Sequence, residues 1–364
     1  MTPIPVSEPP LPRDRATVAH LPQFDAVLDV RTPLEFAEDH IPAACNLPVL
    51  SNEERAQVGT LYQQVSPFSA RKVGAALVSA NIARHLEGPL RNQPRAWRPL
   101  VYCWRGGQRS KALTHVLREI GWDARQLEGG YKAFRRAVIA DTPGLAQRLD
   151  FRVICGMTGS GKSRLLRALA RAGAQVLDLE GLAAHTGSVL GALPDAPQPS
   201  QKWFESRLWR QLQQLDPAQP VYVESESKRI GAIQVPQGVL DRMWASRCIV
   251  LETATPARVE LLKQEYAHFL RDPQALGRQL DRLVPLHGRA VIDRWKAQAA
   301  AGDWDALVEE LLARHYDPTY GRSIGGHYPH LPEAQVVRID SAEHDAFLDA
   351  AHALTAATAE PIAG

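Results

Sequence analysis

The sequence predicts an α/β protein of two units, each a mostly parallel sheet with flanking helices. Three observations lead there. Short apolar runs alternate with helical periodicity along most of the chain, the order that builds parallel sheets. Two of these strand-to-helix passages run through glycine-bearing loops, at 103–110 and 156–163. The 364 residues are enough for two domains, each with its own core.

Proline-rich residues 1–15 are expected to be a flexible tail, and the first domain spans 16–140. Residues 24–30 read as a short buried strand, followed by helical periodicity at 33–38 and over roughly 53–87, with Ser51 or Asn52 as N-cap. The apolar run 100–102 is the next strand, a helix begins near Ser110, and a strand at 124–127 precedes the turn Glu128-Gly129-Gly130. Asp141-Thr142-Pro143-Gly144 has the composition of a linker. The second domain, 141–340, opens with a strand at 151–155 and a helix at 164–172. Further strands fall at 174–179, 221–224, 248–252 and 335–339, and amphipathic helices occupy roughly 256–315. Residues 341–364 are expected to be a C-terminal helix and tail, frayed from 355 onward.

Composition narrows the setting. Hydrophobic residues at 45% and charged residues at 23% are ordinary for a soluble globular protein. No apolar run approaches the ~18 residues of a membrane span, and the N-terminus lacks a signal-peptide core. The cysteines Cys45, Cys103, Cys155 and Cys248 have neither metal-site nor disulfide spacing, so no structural metal and a cytoplasmic location are expected. Net charge is only +2, but residues 1–140 hold 18 Lys and Arg against 13 Asp and Glu. That bias suits a nucleic acid or a phosphorylated ligand.

Two loops carry the chemistry. In Cys103-Trp-Arg105-Gly106-Gly107-Gln-Arg109-Ser110, a cysteine stands between a strand end and a helix N-terminus. Amides freed by Gly106 and Gly107, with Arg105, Arg109 and the helix start at Ser110, would cradle a tetrahedral oxyanion. The same surroundings favour thiolate over thiol, moving a cysteine from ~8.5 toward ~3.5–7.5. Cys103 is therefore the candidate nucleophile. The second loop, Gly156-Met-Thr158-Gly159-Ser160-Gly161-Lys162-Ser163, satisfies the P-loop pattern between a strand and a helix. Its amides and Lys162 suit a di- or triphosphate, and the Ser163 hydroxyl suits Mg²⁺. The pattern leaves open whether the ligand is a nucleotide.

Glu224, at a strand end, is the candidate acidic metal partner, with Glu226 second. The runs 178–188 and 224–231 follow predicted strands and are expected to border the phosphate site, bringing Asp178, Glu180, Lys228 and Arg229 to its rim. No Asn-Lys-x-Asp guanine signature is present.

The first domain resembles the rhodanese family through Asp29-Val30-Arg31, Glu35-Phe36, His40-Ile41-Pro42-Ala43-Ala44, Asn46-Leu47-Pro48, the Cys103 loop and Glu128-Gly129-Gly130-Tyr131. Its arginine stands six residues after the cysteine, so the loop is longer than in single-domain sulfurtransferases and should accept a larger tetrahedral oxyanion, as in rhodanese-related phosphatases. From about residue 25 to 340 the chain resembles the bacterial tRNA 2-selenouridine synthases. The specific marks are Cys-Trp-Arg-Gly-Gly-Gln-Arg-Ser, Glu-Gly-Gly-Tyr-Lys-Ala, Gly-Met-Thr-Gly-Ser-Gly-Lys-Ser, Asp-Leu-Glu-Gly-Leu-Ala and Glu-Ser-Glu-Ser-Lys-Arg-Ile-Gly.

The resemblance implies a rhodanese-like domain followed by a P-loop NTPase-like domain, and a two-step change to a tRNA wobble uridine. Geranyl diphosphate would S-geranylate 2-thiouridine; selenophosphate would then replace the geranylthio group to give 2-selenouridine. Selenophosphate would sit on Arg105, Gly106, Gly107, Arg109 and Ser110, with Cys103 taking the selenium. Geranyl diphosphate would sit on the loop 156–163, with Mg²⁺ held by Ser163. Lys228 and Arg229 would contact tRNA, and an enzyme supplying selenophosphate is an expected partner. Trp203, Phe204 and Trp209 are candidate liners of a geranyl groove, although their helical spacing fits core packing equally well. Two other activities fit parts of the pattern: a rhodanese-type tRNA sulfurtransferase, and a P-loop kinase fused to a cysteine-dependent phosphatase.

Overall fold

The computed structural model describes residues 14–188, 190, 191, 196–318 and 327–359. The tail expected over 1–15 lies outside these residues apart from its last two, and the frayed end lies outside from 360. The chain divides into two compact units, Met1–Asp141 and Thr142–Gly364.

Five parallel strands form the first sheet: β1 (Arg15–Ala16), β2 (Ala26–Asp29), β3 (Cys45–Asn46), β4 (Pro99–Tyr102) and β5 (Arg125–Leu127). Their spatial order is β1-β5-β4-β2-β3. Central β4 is buried at every position, which is why its sequence is a continuous apolar run without alternation. Cys103 follows it directly, so its place is set by the register of Leu28 with Val101 and Asp29 with Tyr102. β1 and β3, two residues each, are too short to leave a pattern and were not expected.

Helix boundaries follow local chemistry. Thr32 closes a capping box with Glu35 ahead of helix Pro33–Glu38, and Ser51 does the same with Glu54 ahead of Asn52–Gln64. The helical periodicity over roughly 53–87 resolves into two helices, Asn52–Gln64 and Pro67–Glu87. Pro67 has no N–H for the preceding turn, whereas it suits a first helical position behind the Ser66 cap. The linker expected at 141–144 is also corrected: helix Gly130–Gln147 continues through it, with Pro143 inside. Ile139, the residue whose carbonyl loses its partner to Pro143, is 64% exposed, so water can take the bond.

The second unit holds β6 (Asp150–Cys155), β7 (Gln175–Leu177), β8 (Pro220–Glu224), a short antiparallel pair β9 (Arg229–Ile230) and β10 (Ile233–Gln234), β11 (Arg247–Thr253) and β12 (Gln335–Ile339). The main sheet is parallel, in the order β12-β11-β6-β8-β7. Alternate residues feed cores on its two faces: Phe151, Val153 and Cys155 on one, Ile154 on the other. Phe204 and Leu208 of helix Gln201–Gln214 fill the first core and Trp209 is 3% exposed, so this helix packs the fold. Helix His344–Ala359 fills the second core with Phe347, Ala351 and Leu354. Helices between residues 255 and 316 form a lobe around their own core, which includes Leu276, Trp295 and Leu311. Among the described residues, no helix is long and apolar enough to cross a membrane.

Candidate active site

In the first unit the chain leaves β4 and turns back over Cys103. Gly107 N–H and Ser110 Oγ–H both donate to Cys103 Sγ, at 3.2 and 3.1 Å. Gln126 on β5 steadies them, donating to Ser110 Oγ at 2.7 Å and the Gly107 carbonyl at 3.1 Å. Two donors on one sulfur suit a thiolate. The loop is tight because backbone meets backbone: a Cβ on Gly130 would lie 2.3 Å from the Cys103 carbonyl, and one on Gly106 would lie 2.8 Å from the Leu127 carbonyl. Both glycines have positive φ. A Cβ on Gly107, by contrast, would meet nothing within 4 Å, so the loop is open on that side.

The two arginines differ. Arg105 is exposed on the loop, whereas Arg109 is bound by the Glu35 carboxylate at 2.6 and 3.1 Å. Burial would raise the Glu35 carboxyl, but the Arg109 hydrogen bonds and charge, helped by Thr32 N–H and Arg31, hold it below its ordinary value. Behind the loop lies a buried network that the Asp29-Val30-Arg31 motif serves. Arg31 forks onto Asp29, reaches the Asp39 carbonyl at 2.6 Å, and lies over the Tyr131 ring at 4.0 Å. Tyr131 donates to Asp39 Oδ2 at 2.7 Å, tying the Glu-Gly-Gly-Tyr turn to the same network.

In the second unit β6 ends at Cys155 and the loop 156–163 opens helix Lys162–Arg171. The loop is gripped from several sides. A Cβ on Gly159 would come within 2.8 Å of Leu262, and one on Gly161 within 2.6 Å of the Phe347 ring. Arg258, 4% exposed, donates to the Thr158 carbonyl at 3.0 and 2.8 Å and pairs with Asp317. Thr253 donates to the Ser160 carbonyl at 2.9 Å. Lys162 Nζ donates to the Gly156 carbonyl at 2.8 Å, curled over its own loop.

Ser163 donates to Glu180 Oε2 at 2.8 Å and is 3.1 Å from Glu224 Oε2. Glu180, Glu224 and Glu226 bring carboxylate oxygens within 4.8 Å of one another. Burial, with Glu180 and Glu226 close by, pushes Glu224 well above the carboxylate range. Burial and Glu180 push Glu226 up against the pull of Lys162, and burial raises Glu180 despite Ser163. Hard oxygen donors crowded beside a P-loop serine fit Mg²⁺, which would relieve that repulsion. Asp178 stands apart: its carboxylate caps helix Leu179–Ala183, accepting from Gly181 N–H at 2.7 Å.

A cavity of about 510 Å³ runs from this cluster into the helical lobe. Its lining includes Lys162, Ser163, Glu180, Glu226, Arg164 and Arg167, with Leu261 and Leu262 against the P-loop glycines and Tyr266, Leu286 and Tyr316 from the helical lobe. The volume is that of a small-molecule site. Trp203, Phe204 and Trp209 are not among its lining, since their helix serves the core. Exposed Lys228 and Arg229 follow the rim residues Glu226 and Ser227, and Lys228 Nζ lies 5.8 Å from the Trp244 ring centroid. Sequence reasoning named Glu35 only as a mark of the rhodanese resemblance, not as a partner of Arg109, and missed Arg258, Tyr266 and Tyr316. The last three sit at apolar or helical positions that look like packing.

A strand-borne cysteine loop in one unit and a P-loop with a carboxylate cluster in the other define a rhodanese-like domain joined to an ATPase-type α/β domain. Family models match both, a rhodanese-like domain over residues 16–137 and the tRNA 2-selenouridine synthase AAA domain over 149–276. Relatives described as tRNA 2-selenouridine synthase align over most of the chain. The protein of Marinobacter nauticus is 32% identical over 81% of this chain and 87% of its own, and that of Aeromonas salmonicida 33% identical over 82% and 87%. The protein of Nitrosomonas europaea is 35% identical over 71% and 67%. The chain belongs to the tRNA 2-selenouridine synthase family.

Proposed function

We propose that this protein converts 2-thiouridine at a tRNA wobble position to 2-selenouridine through an S-geranyl intermediate. The observation that carries the reading is the P-loop cavity of the second unit. A phosphate-binding loop and carboxylates line one part of it, and Tyr266, Leu286 and Tyr316 of the helical lobe line another. That pairing of a phosphate site with large apolar side chains suits an amphiphile with a diphosphate head.

In the first step the thiouridine sulfur attacks the allylic carbon of geranyl diphosphate, the carbon–oxygen bond breaks, and diphosphate leaves. Lys162 swings from the Gly156 carbonyl to the departing oxygens, and the amides of 156–163 hold them. Ser163, Glu180, Glu224 and Glu226 would hold Mg²⁺, which supplies charge neutralisation for a diphosphate. In the second step selenophosphate occupies the loop over Cys103, on the amides of 105–110 with Arg105 and Arg109. The selenium bonds to C2 of the uridine as geranylthiolate leaves, and the Cys103 thiolate takes the phosphoryl group from selenium, which water then releases as phosphate. Lys228 and Arg229 serve as tRNA phosphate contacts. Selenophosphate has to be supplied by a partner enzyme, and the setting is cytoplasmic.

Thermal shift and nucleoside mass spectrometry test the reading. Geranyl diphosphate should stabilise the protein more than ATP or inorganic diphosphate at equal concentration. At about a hundred times its Kd a ligand adds ~2.7 kcal/mol. Modification that requires ATP hydrolysis and ignores geranyl diphosphate would overturn it.

A further inference from the structure

Two cavities of the second unit meet at a shared wall. The larger, about 510 Å³, contains the P-loop; the smaller, about 50 Å³, lies within the helical lobe. Leu262, Tyr266 and Tyr316 line both. Behind the wall stand Leu276 and Trp304, and apart from Lys263 and the two phenols the surround is apolar. A void in a packed core forfeits dispersion contacts, so one placed directly behind a ligand cavity calls for an explanation.

The wall is braced. Tyr266 Oη is 2.8 Å from Thr186 Oγ1 and 2.9 Å from Ser188 Oγ. The same turn reaches the carboxylates, because a Cβ on Gly187 would lie 2.7 Å from Glu180 Oε1. Tyr316 closes a one-turn π-helix, Leu312–Tyr316, a form that often marks functional positions. One short segment, Thr186 to Ser188, therefore fixes the distance from the carboxylates to the Tyr266 phenol.

We propose that Tyr266 and Tyr316 form the stop that sets the length of isoprenoid chain the cavity accepts. The proposal rests on the prenyl diphosphate reading given above. A ten-carbon chain ends against the phenols. A fifteen-carbon chain needs the volume of the Tyr316 ring and the void behind it. Among the described residues that void is bordered by apolar side chains apart from Lys263 and the two phenols, so the selection is one of volume.

The test supplies equimolar geranyl and farnesyl diphosphate with 2-thiouridine tRNA and reads the S-prenyl nucleosides by mass spectrometry. The unmodified protein should give mainly the geranyl product. Tyr316→Ala, and more mildly Tyr316→Leu, should raise the farnesyl-to-geranyl ratio at least tenfold. Adding Leu276→Phe, which fills the inner void, should bring the ratio of Tyr316→Ala back down. Tyr266→Leu gives the same readout should both Tyr316 variants lose their fold by circular dichroism. An unchanged ratio with geranyl transfer intact overturns the stop and leaves the broader reading standing, as does a parent protein that uses both chains equally. If neither diphosphate is transferred or raises the melting temperature, the prenyl diphosphate reading falls and the stop falls with it.

Discussion

Arg109 and Glu35 meet through two hydrogen bonds, 2.6 and 3.1 Å long, although 74 residues separate them. The pair ties the helix after Cys103 to the one that follows β2 and holds the Arg109 guanidinium in one place.

Glu35→Gln keeps the capping box, which accepts glutamine, and removes the charge. At pH 7 the variant should lose about 1 kcal/mol, the scale of a partly exposed pair. The folded Glu35 carboxyl lies below its ordinary 4.5. The advantage of the parent protein should thus be full above pH 4.5 and fade as pH falls through the lower folded value. Urea titrations of both proteins at pH 7 and below pH 4 check this; a gap that does not shrink in acid would remove the ion pair as its cause.

Substitution should separate the two steps. Cys103→Ser should abolish 2-selenouridine while S-geranyl-2-thiouridine accumulates. Lys162→Ala should slow geranylation by at least ~10²-fold, the scale of one lost oxyanion stabiliser, yet still selenate tRNA supplied pre-geranylated. Nucleoside mass spectrometry reads both. Full selenation by the serine variant would end the part given to Cys103 in the second step.

Mg²⁺ should raise the melting temperature of the parent protein, because it binds the folded carboxylates and relieves their crowding. Glu224→Gln should melt higher than the parent without Mg²⁺ and gain less when Mg²⁺ is added. Equal gains in both proteins would place the cation elsewhere.

Two glycines of the Cys103 loop should answer differently to alanine. Gly130→Ala puts a Cβ 2.3 Å from one backbone atom and 2.4 Å from another at φ +57, so several kcal/mol should be lost. Gly107→Ala, at φ −97 with open space around it, should stay within about 1 kcal/mol of the parent. Equal losses in chemical denaturation would refute this account of the loop.

Both chemical loops were legible because clustered glycines with arginine or lysine in those orders are poor core material. β4 and β6 were legible as unbroken apolar runs. Legibility failed where the deciding partner is distant in sequence. Nothing near Arg109 announces Glu35, and Tyr266 and Tyr316 occupy positions that any packed helix might give to an aromatic. Asp178 and Glu180 look alike in the sequence; only the start of a five-residue helix makes the first a cap and leaves the second facing Ser163. Pro143 misled for the opposite reason, a strong local signal overridden by a helix whose exposed face tolerates it.

The grip of Phe347 on Gly161 bears on how the protein is born. A ribosome releases the phosphate loop long before it releases the helix that presses on it, and domains tend to fold in the order they emerge. During that interval the cores on the two faces of the second sheet are unequal: one can close from residues already made, while the other waits for Phe347, Ala351 and Leu354. Nascent chains halted before residue 344 should hold the complete cysteine loop while the phosphate loop still lacks its last support, so the capacity to capture a diphosphate matures after the capacity to hold a nucleophilic sulfur.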